Sequence, residues 1–361
     1  MLLGTHSCSH RSHLKPSIVI SIFAIKLYTS LVYKSFVYYS TIERFIKVYT
    51  LRVIYSTGNT METQNEINEE EKKIYCPNCK SKNTKKRGFR HTENRGKIQR
   101  YFCHDCKKSF VIEDGFFRMR NSPQKITCGL DLFYRGVSTR KVQEHFQAFM
   151  PHNCSNVTIY NWVIKYAKMI GKFTENLKLK VGSELQIDEQ VHARVGEKNW
   201  LIDSIDSQTR FVVASSFHVS RGQIEIKGVL QIAKQKTLDQ FKVVTSDGYL
   251  AYPKCIKRVF GYNNVQGKFN VFHNVKKGCD GEGFNVPIER FHNDVRDRTK
   301  IMRGFHGSVE SADSILKGFV IFYNFIRKHQ GIKCSPYELA CPELKIEGVN
   351  KWLGLIKMAN R

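Results

Sequence analysis

Apolar residues recur three or four positions apart from residue 122 to 173, and from about Lys180 the spacing changes to two. The first period predicts helices and the second strands. Ile126–Tyr134 reads as one helix. Ser138 is a good N-cap for Thr139–Phe149, whose Val142, Phe146 and Phe149 share one side. Ser155 caps Val157–Phe173, with Ile159, Trp162, Val163, Tyr166 and Ile170 at helical spacing. Three short helices in this order fit a helix-turn-helix whose last helix offers Asn156, Thr158, Asn161 and Lys165 to a DNA groove. Any small helical bundle gives the same pattern.

The second half alternates strand and helix and so predicts an α/β domain. Ser183–Val191 reads as a strand that turns Asp188 away from Ile187. Trp200–Asp206 and Arg210–Phe217 flank Ser207-Gln-Thr209 as a hairpin, which makes Asp203 and Asp206 hairpin acids. Gln223–Lys236 is helical. Phe241–Thr245 is an apolar strand running into Asp247-Gly248, and strand carboxyl ends are where α/β sheets place their chemistry. Pro287 opens a further helix, with Ile288, Phe291, Val295 and Met302 on its buried side. Glu289, Asn293, Arg296 and Lys300 form its polar stripe.

Cysteine spacing adds a separate module. Cys76-Pro-Asn-Cys79 and Cys103-His-Asp-Cys106 are two CxxC turns with 23 residues between them. Such turns aim four thiolates at one point, the ligand set of a structural zinc with Zn–S bonds of about 2.3 Å. Redox-active CxxC pairs are the alternative, but they open a helix in a thioredoxin-like unit that is absent here. The other seven cysteines are scattered, which fits a reducing compartment. Phe89, Tyr101, Phe102 and Phe110 can pack the small core of this zinc ribbon.

Charge then points to the partner. The chain has 58 Lys and Arg against 32 Asp and Glu, a formal +26, so a polyanion is the natural ligand. Nine bases and the single acid Glu93 lie between the inner cysteines. Lys85, Lys86, Arg87, Arg90 and Arg100 are the candidate phosphate contacts among them. The first sixty residues hold seven bases and one acid, and Lys26 and Lys34 interrupt their apolar run before it could span a membrane. The composition changes abruptly at Met61, which marks 1–60 as an atypical extension and Met61 as the expected start of the working protein. Without that extension the balance stays strongly basic.

Domain boundaries follow. Residues 61–74 are a polar linker, 75–112 the zinc ribbon, 122–173 the helix-turn-helix domain, 180–330 the α/β catalytic domain and 331–361 a C-terminal tail. A strand acid (Asp188), a strand-end acid (Asp247) and a helix acid (Glu289) are the parts needed to hold two Mg²⁺ or Mn²⁺ ions for in-line displacement at phosphorus. Taken singly, Asp247-Gly248 could be a turn, Asp188 or its neighbour Glu189 a surface strand residue, and Glu289 a first-turn helix acid.

Together these residues carry a resemblance. The spacing of Asp188, Asp247 and Glu289 resembles the DDE triad of insertion-sequence transposases and retroviral-type integrases. Thr245–Tyr252 resembles the second-aspartate segment of those proteins. Ile288–Phe305 resembles the glutamate helix of the prokaryotic insertion-sequence six family and its archaeal relatives, and Phe322–His329 with Ser335-Pro336 the segment that follows it. Gly136–Arg140 and Thr158–Trp162 resemble that family's helix-turn-helix. The second spacing is longer than the family's, because Gly278–Gly283 adds a loop.

The resemblance implies an RNase H-like fold, Mg²⁺ or Mn²⁺ dependence, and homo-oligomers acting on terminal inverted repeats and target DNA. It also implies Asp188, Asp247 and Glu289 as metal ligands, with Arg290, Arg296 and Lys300 as DNA contacts. The expected protein is cytoplasmic and DNA-associated, with no membrane partner. A transposon remnant kept only for binding DNA would not need the acids. A nuclease that cuts without rejoining would not need the ribbon and helices.

Overall fold

The computed structural model describes residues 74–93, 95–150, 153–237, 241–276 and 286–360. The extension 1–60, residues 61–73 of the linker and the Gly278–Gly283 loop therefore lie outside the described residues.

The ribbon is a three-stranded antiparallel sheet, β1 (Thr84–Thr92), β2 (Gly96–Cys103) and β3 (Ser109–Val111). Each CxxC turn closes on a residue in the left-handed region, Lys80 at φ 59° and Lys107 at φ 57°. That kink lets Lys80 N–H donate back to Cys76 O at 2.8 Å and turns both thiols inward. Tyr101 stacks on Phe110 at 5.7 Å. Phe89 does not join them. It lies at a register shift between Lys86 and Phe89 and is 56% exposed.

The helices α1 (Pro123–Tyr134), α2 (Thr139–Phe149) and α3 (Asn156–Glu175) start where side-chain oxygens cap free N–H groups. Ser138 and Ser155 cap as read from sequence. α1 begins three residues earlier than expected, because Ser122 accepts from Lys125 N–H and Pro123 sits in the first turn. Val142 and Phe146 are buried, but Phe149 is 75% exposed. It is the last residue of α2 and lies against the His145 ring instead of the core.

The α/β part is built on β4 (Glu184–Arg194), β5 (Glu197–Asp206), β6 (Val212–His218), β7 (Val243–Ser246) and β10 (Phe272–Val275). Their order is β10-β7-β4-β5-β6. β4, β5 and β6 form an antiparallel meander, while β7 and β10 run parallel to β4 on its other side. A three-strand meander followed by two parallel strands on the far side of its first strand is the RNase H-like topology. The β4–β5 turn is Val195-Gly196, both residues at positive φ (51° and 79°), as a two-residue type I′ turn requires. Val-Gly is not the usual pair for that turn, so the sequence carries no hairpin signal there.

Helices α4 (Gln223–Thr237) and α5 (Ala251–Phe260) follow β6 and β7, and a small ribbon, β8 (Tyr262–Asn263) with β9 (Lys268–Phe269), leads to β10. Helix α6 (Val286–Lys300) packs over β4 and β5. α7 (Val309–Ile321) continues into a π-helical turn, Phe322–Ile326. That turn aims Asn324 at the edge strand β6, where its amide both accepts from Val212 N–H and donates to Val212 C=O at 2.9 Å.

Residues 331–361, expected as a tail, instead carry α8 (Pro336–Ala340) and α9 (Lys351–Ala359). α9 packs on α1 and α3, burying Trp352, Leu355 and Ile356. Trp352 stacks on Tyr134 at 5.4 Å, and Tyr134 on the Phe322 ring at 6.4 Å. One hydrophobic core therefore runs from the three helices into the sheet.

Candidate active site and zinc centre

Parallel pairing fixes the first two acids. β4 and β7 align Glu184 with Val243 and Gln186 with Thr245. Two residues further along, the same register brings Asp188 level with Asp247, just past the end of β7. Asp247 Oδ1 accepts from Tyr249 N–H at 2.9 Å, which holds the carboxylate at the strand end. The neighbour Glu189 completes the group: carboxylate oxygens of Asp188, Glu189 and Asp247 all lie within 4.8 Å of one another.

Successive strand residues point to opposite faces, so Asp188 and Glu189 have different surroundings. On one face Asp188 lies opposite Asp203 of β5, and His292 of α6 bridges them. His292 Nδ1 is 3.4 Å from Asp188 Oδ2 and Nε2 is 3.2 Å from Asp203 Oδ2. Burial works against a charge on His292, but the bonds to the two carboxylates prevail and carry it up to about 9. Asp203 is fully buried, and that burial holds it above the usual carboxylate range. It is a mid-strand core acid, not the hairpin acid expected. Asp206 does serve its turn, accepting from Thr209 N–H at 2.8 Å.

On the other face Glu189 accepts from Tyr252 Oη and pairs with Arg221 Nη1 at 3.1 Å. The Arg221 guanidinium lies between the rings of Trp200 and Tyr249, at 4.3 and 4.5 Å. Burial raises both Glu189 and Asp247, and each is raised further by its acidic neighbours. Among the described residues, four carboxylates thus meet two cationic side chains, His292 and Arg221. Hard oxygen donors carrying surplus negative charge suit Mg²⁺ or Mn²⁺.

Glu289 stands in the first turn of α6, one helical turn before His292 on the same helix, and is half-buried. It is not in the three-acid group. Met302, expected on the buried side of α6, falls beyond its end and is half-buried. Arg290, Arg296 and Lys300 of α6 face solvent. On α3, Asn161 and Lys165 are exposed, and Thr158 is half-buried with its hydroxyl engaged by the Ser155 cap at 3.0 Å. Lys85, Lys86, Arg87 and Arg90 are exposed on β1, and Arg100 is half-buried on β2. Sequence reasoning missed Arg221, Tyr252, His292 and Asp203. Only the adjacency of Asp188 and Glu189 was a usable signal.

The four cysteines also converge. Cys76 Sγ is 3.6 Å from Cys106 Sγ, and Cys79 Sγ is 3.5 Å from Cys103 Sγ. A tetrahedron with Zn–S bonds of about 2.3 Å has edges of about 3.8 Å, so the donors fit zinc, and they are too far apart for disulfides. Burial opposes ionisation of Cys76, but N–H groups of Cys79 and Asn78 and the neighbouring thiols lower it to about 7.

No protein-family model matches the chain, and no curated protein matches it. Among solved structures, the catalytic core domain of HTLV-2 integrase in complex with magnesium, in its trimeric form, aligns at 12% identity with a TM-score of 0.33, covering 45% of this chain and 98% of its own. The dimeric form aligns at 11% identity with a TM-score of 0.33, covering 44% and 97%. The simian T-cell lymphotropic virus intasome in complex with PP2A regulatory subunit B56 gamma aligns at 9% identity with a TM-score of 0.34, covering 59% and 71%. No described helix is long and apolar enough to cross a membrane.

Proposed function

We propose that the chain is a DDE-type DNA transposase, similar to the insertion-sequence six family, that cuts strands at element ends and joins the freed 3′-hydroxyl to target DNA. The observation that carries this reading is the convergence of Asp188, Glu189 and Asp247 at the end of an RNase H-like sheet, with more carboxylate charge than its two cationic neighbours offset. Asp188 and Asp247 are the principal ligands with Glu189 beside them, and Glu289, which stands outside that group on α6, is the third ligand that the resemblance assigns. Two Mg²⁺ or Mn²⁺ ions bound there would activate the attacking water or 3′-hydroxyl and stabilise the leaving oxygen.

The remaining residues act on DNA and on the acids. His292 fixes the direction of Asp188. Arg221, flattened between two rings, presents its donor edge beside the acids, where a phosphate oxygen would lie. Lys85, Lys86, Arg87, Arg90 and Arg100 of the ribbon, Thr158, Asn161 and Lys165 of α3, and Arg290, Arg296 and Lys300 of α6 hold the duplex, with zinc at the four cysteines keeping the ribbon rigid. The substrate is double-stranded DNA with terminal inverted repeats, and the protein acts as a homo-oligomer on DNA in the cytoplasm.

The test is strand transfer with oligonucleotides bearing element ends and Mg²⁺. Asp188→Asn, Asp247→Asn and Glu289→Gln should each reduce product at least about a hundredfold. Product unaffected by these changes removes the catalytic assignment. Tight binding without product favours a silent remnant, and cleavage without joining favours a nuclease.

A further inference from the structure

The first turn of α3 uses its polar groups within the protein. Asn156 N–H donates to Gln143 Oε1 of α2 at 2.8 Å, and Thr158 N–H donates to the Ser155 hydroxyl at 3.2 Å. The Thr158 side chain is half-buried, and its hydroxyl is engaged by the same serine at 3.0 Å. Two of the N–H groups that a helix start could offer to a phosphate are therefore already satisfied. The bond from Asn156 to Gln143 also fixes the start of α3 against α2.

What α3 turns outward instead begins with an apolar side chain. Val157 is 60% exposed in the first turn, and Asn161 and Lys165, both exposed, follow at steps of four. Residues at that spacing share one face of a helix. A lone exposed valine is ordinary, but this one heads a stripe that continues as an amide and an ammonium. The surroundings are basic. α3 carries Lys165, Lys168 and Lys172 with no acid before Glu175, and α2 opens with exposed Arg140 and Lys141. Lysine is depleted from protein–protein interfaces, so the stripe does not suit a second protein surface. It suits the major groove of duplex DNA, where a methyl group and amide-pairing base edges lie between phosphates.

We propose that Val157 selects a thymine through its 5-methyl group and Asn161 an adenine through its N6/N7 edge, with Lys165 on a flanking phosphate. The inference rests on the reading of α3 as a DNA-binding helix and adds which bases that helix selects. Four residues of helix rise about 6 Å, nearly two base-pair steps of about 3.4 Å. The thymine and the adenine therefore lie within about two base pairs of each other.

The test selects bound duplexes from a random pool with the full chain, and so needs no known element sequence. Wild type should enrich a motif that contains a thymine. Replacing that thymine by deoxyuridine removes the methyl alone and should weaken binding about three- to fivefold, the worth of one buried methyl. Val157→Ala should bind the thymine and uracil duplexes equally and, because Val157 is exposed, should melt at the wild-type temperature. Asn161→Ala should lose the preference for an adenine within about two base pairs of that thymine. No enriched motif, indifference to uracil at every thymine, or a uracil effect that Val157→Ala retains overturns the proposal. An Asn161→Ala motif identical to that of wild type overturns its adenine part. Selection without added Mg²⁺ keeps the acids out of the result. A failed base readout therefore leaves the catalytic assignment standing, and failed strand transfer leaves the base readout standing.

Discussion

Replacing His292 by Leu removes the group that sits between Asp188 and Asp203. Asp203 is fully buried and loses the one ion-pair partner it has among the described residues, and breaking a buried pair from one side costs about 3–5 kcal/mol. Asp203→Leu alone should cost less, because the buried imidazolium keeps Asp188 as a partner. The double change Asp203→Leu/His292→Leu leaves no buried charge of the pair behind and should recover to within about 1–2 kcal/mol of wild type. Urea unfolding of the metal-free chain measures all three. Effects that simply add would refute the coupling.

The pH dependence checks the same pair independently. The bonds to Asp188 and Asp203 carry His292 up to about 9 from the 6.5 of an ordinary imidazole, so the folded state holds the proton more tightly. Its contribution is complete below 6.5 and is lost as pH rises through 9. The whole span is worth roughly 3 kcal/mol. Wild type should lose that stability between pH 6.5 and 9, and His292→Leu should not. Parallel stability curves for the two proteins would show that the imidazole is neutral in the fold. In the presence of Mg²⁺, loss of His292 should weaken metal affinity about 10–100-fold, since His292 orients Asp188, the ligand proposed above.

Cys103→Ser or a strong chelator should unfold residues 75–112 alone, because structural zinc in such modules supplies about 10–16 kcal/mol. Limited proteolysis would then cut within β1 and β2 while the helices and sheet resist, and an uncleaved ribbon would exclude a structural metal. Trp352→Ala should cost about 3–5 kcal/mol in urea unfolding, since it empties a site between Tyr134 and the core. A loss below 1 kcal/mol would mean that α9 is not part of that core. Changing Lys85, Lys86, Arg87 and Arg90 to Gln should flatten the dependence of log affinity for duplex DNA on log salt by roughly 3–4. An unchanged slope in fluorescence anisotropy would remove the ribbon from the contact.

What could be read from the sequence had local causes. Ser138 and Ser155 cap helices because the adjacent N–H groups need acceptors, and the CxxC pairs meet because the turn itself aims them. Asp188 and Asp247 were legible because each sits on or at the end of a strongly patterned strand. The buried polar residues were not. His292 and Asp203 occupy core positions, and a reading that sends polar residues outward cannot place them without knowing which elements pack together. Arg221 lies in a loop, and the rings that hold it come from β5 and from the segment after β7. The helix at Lys351–Ala359 had a visible apolar face in Trp352, Leu355 and Ile356, but α1 and α3, on which that face packs, are more than 170 residues away in the chain.

The pleat of β4 gives the acid doublet a consequence for how the molecule meets a polyanion. With Asp188, Glu189 and Asp247 gathered within 4.8 Å of one another, the carboxyl end of β7 repels phosphates until a cation is bound. The ribbon, by contrast, attracts them with no ion present. A chain stripped of Mg²⁺ should therefore still catch DNA through the exposed bases of the ribbon, α3 and α6, and adding the ion should lengthen the protected footprint toward the acids without much changing how fast the first encounter occurs.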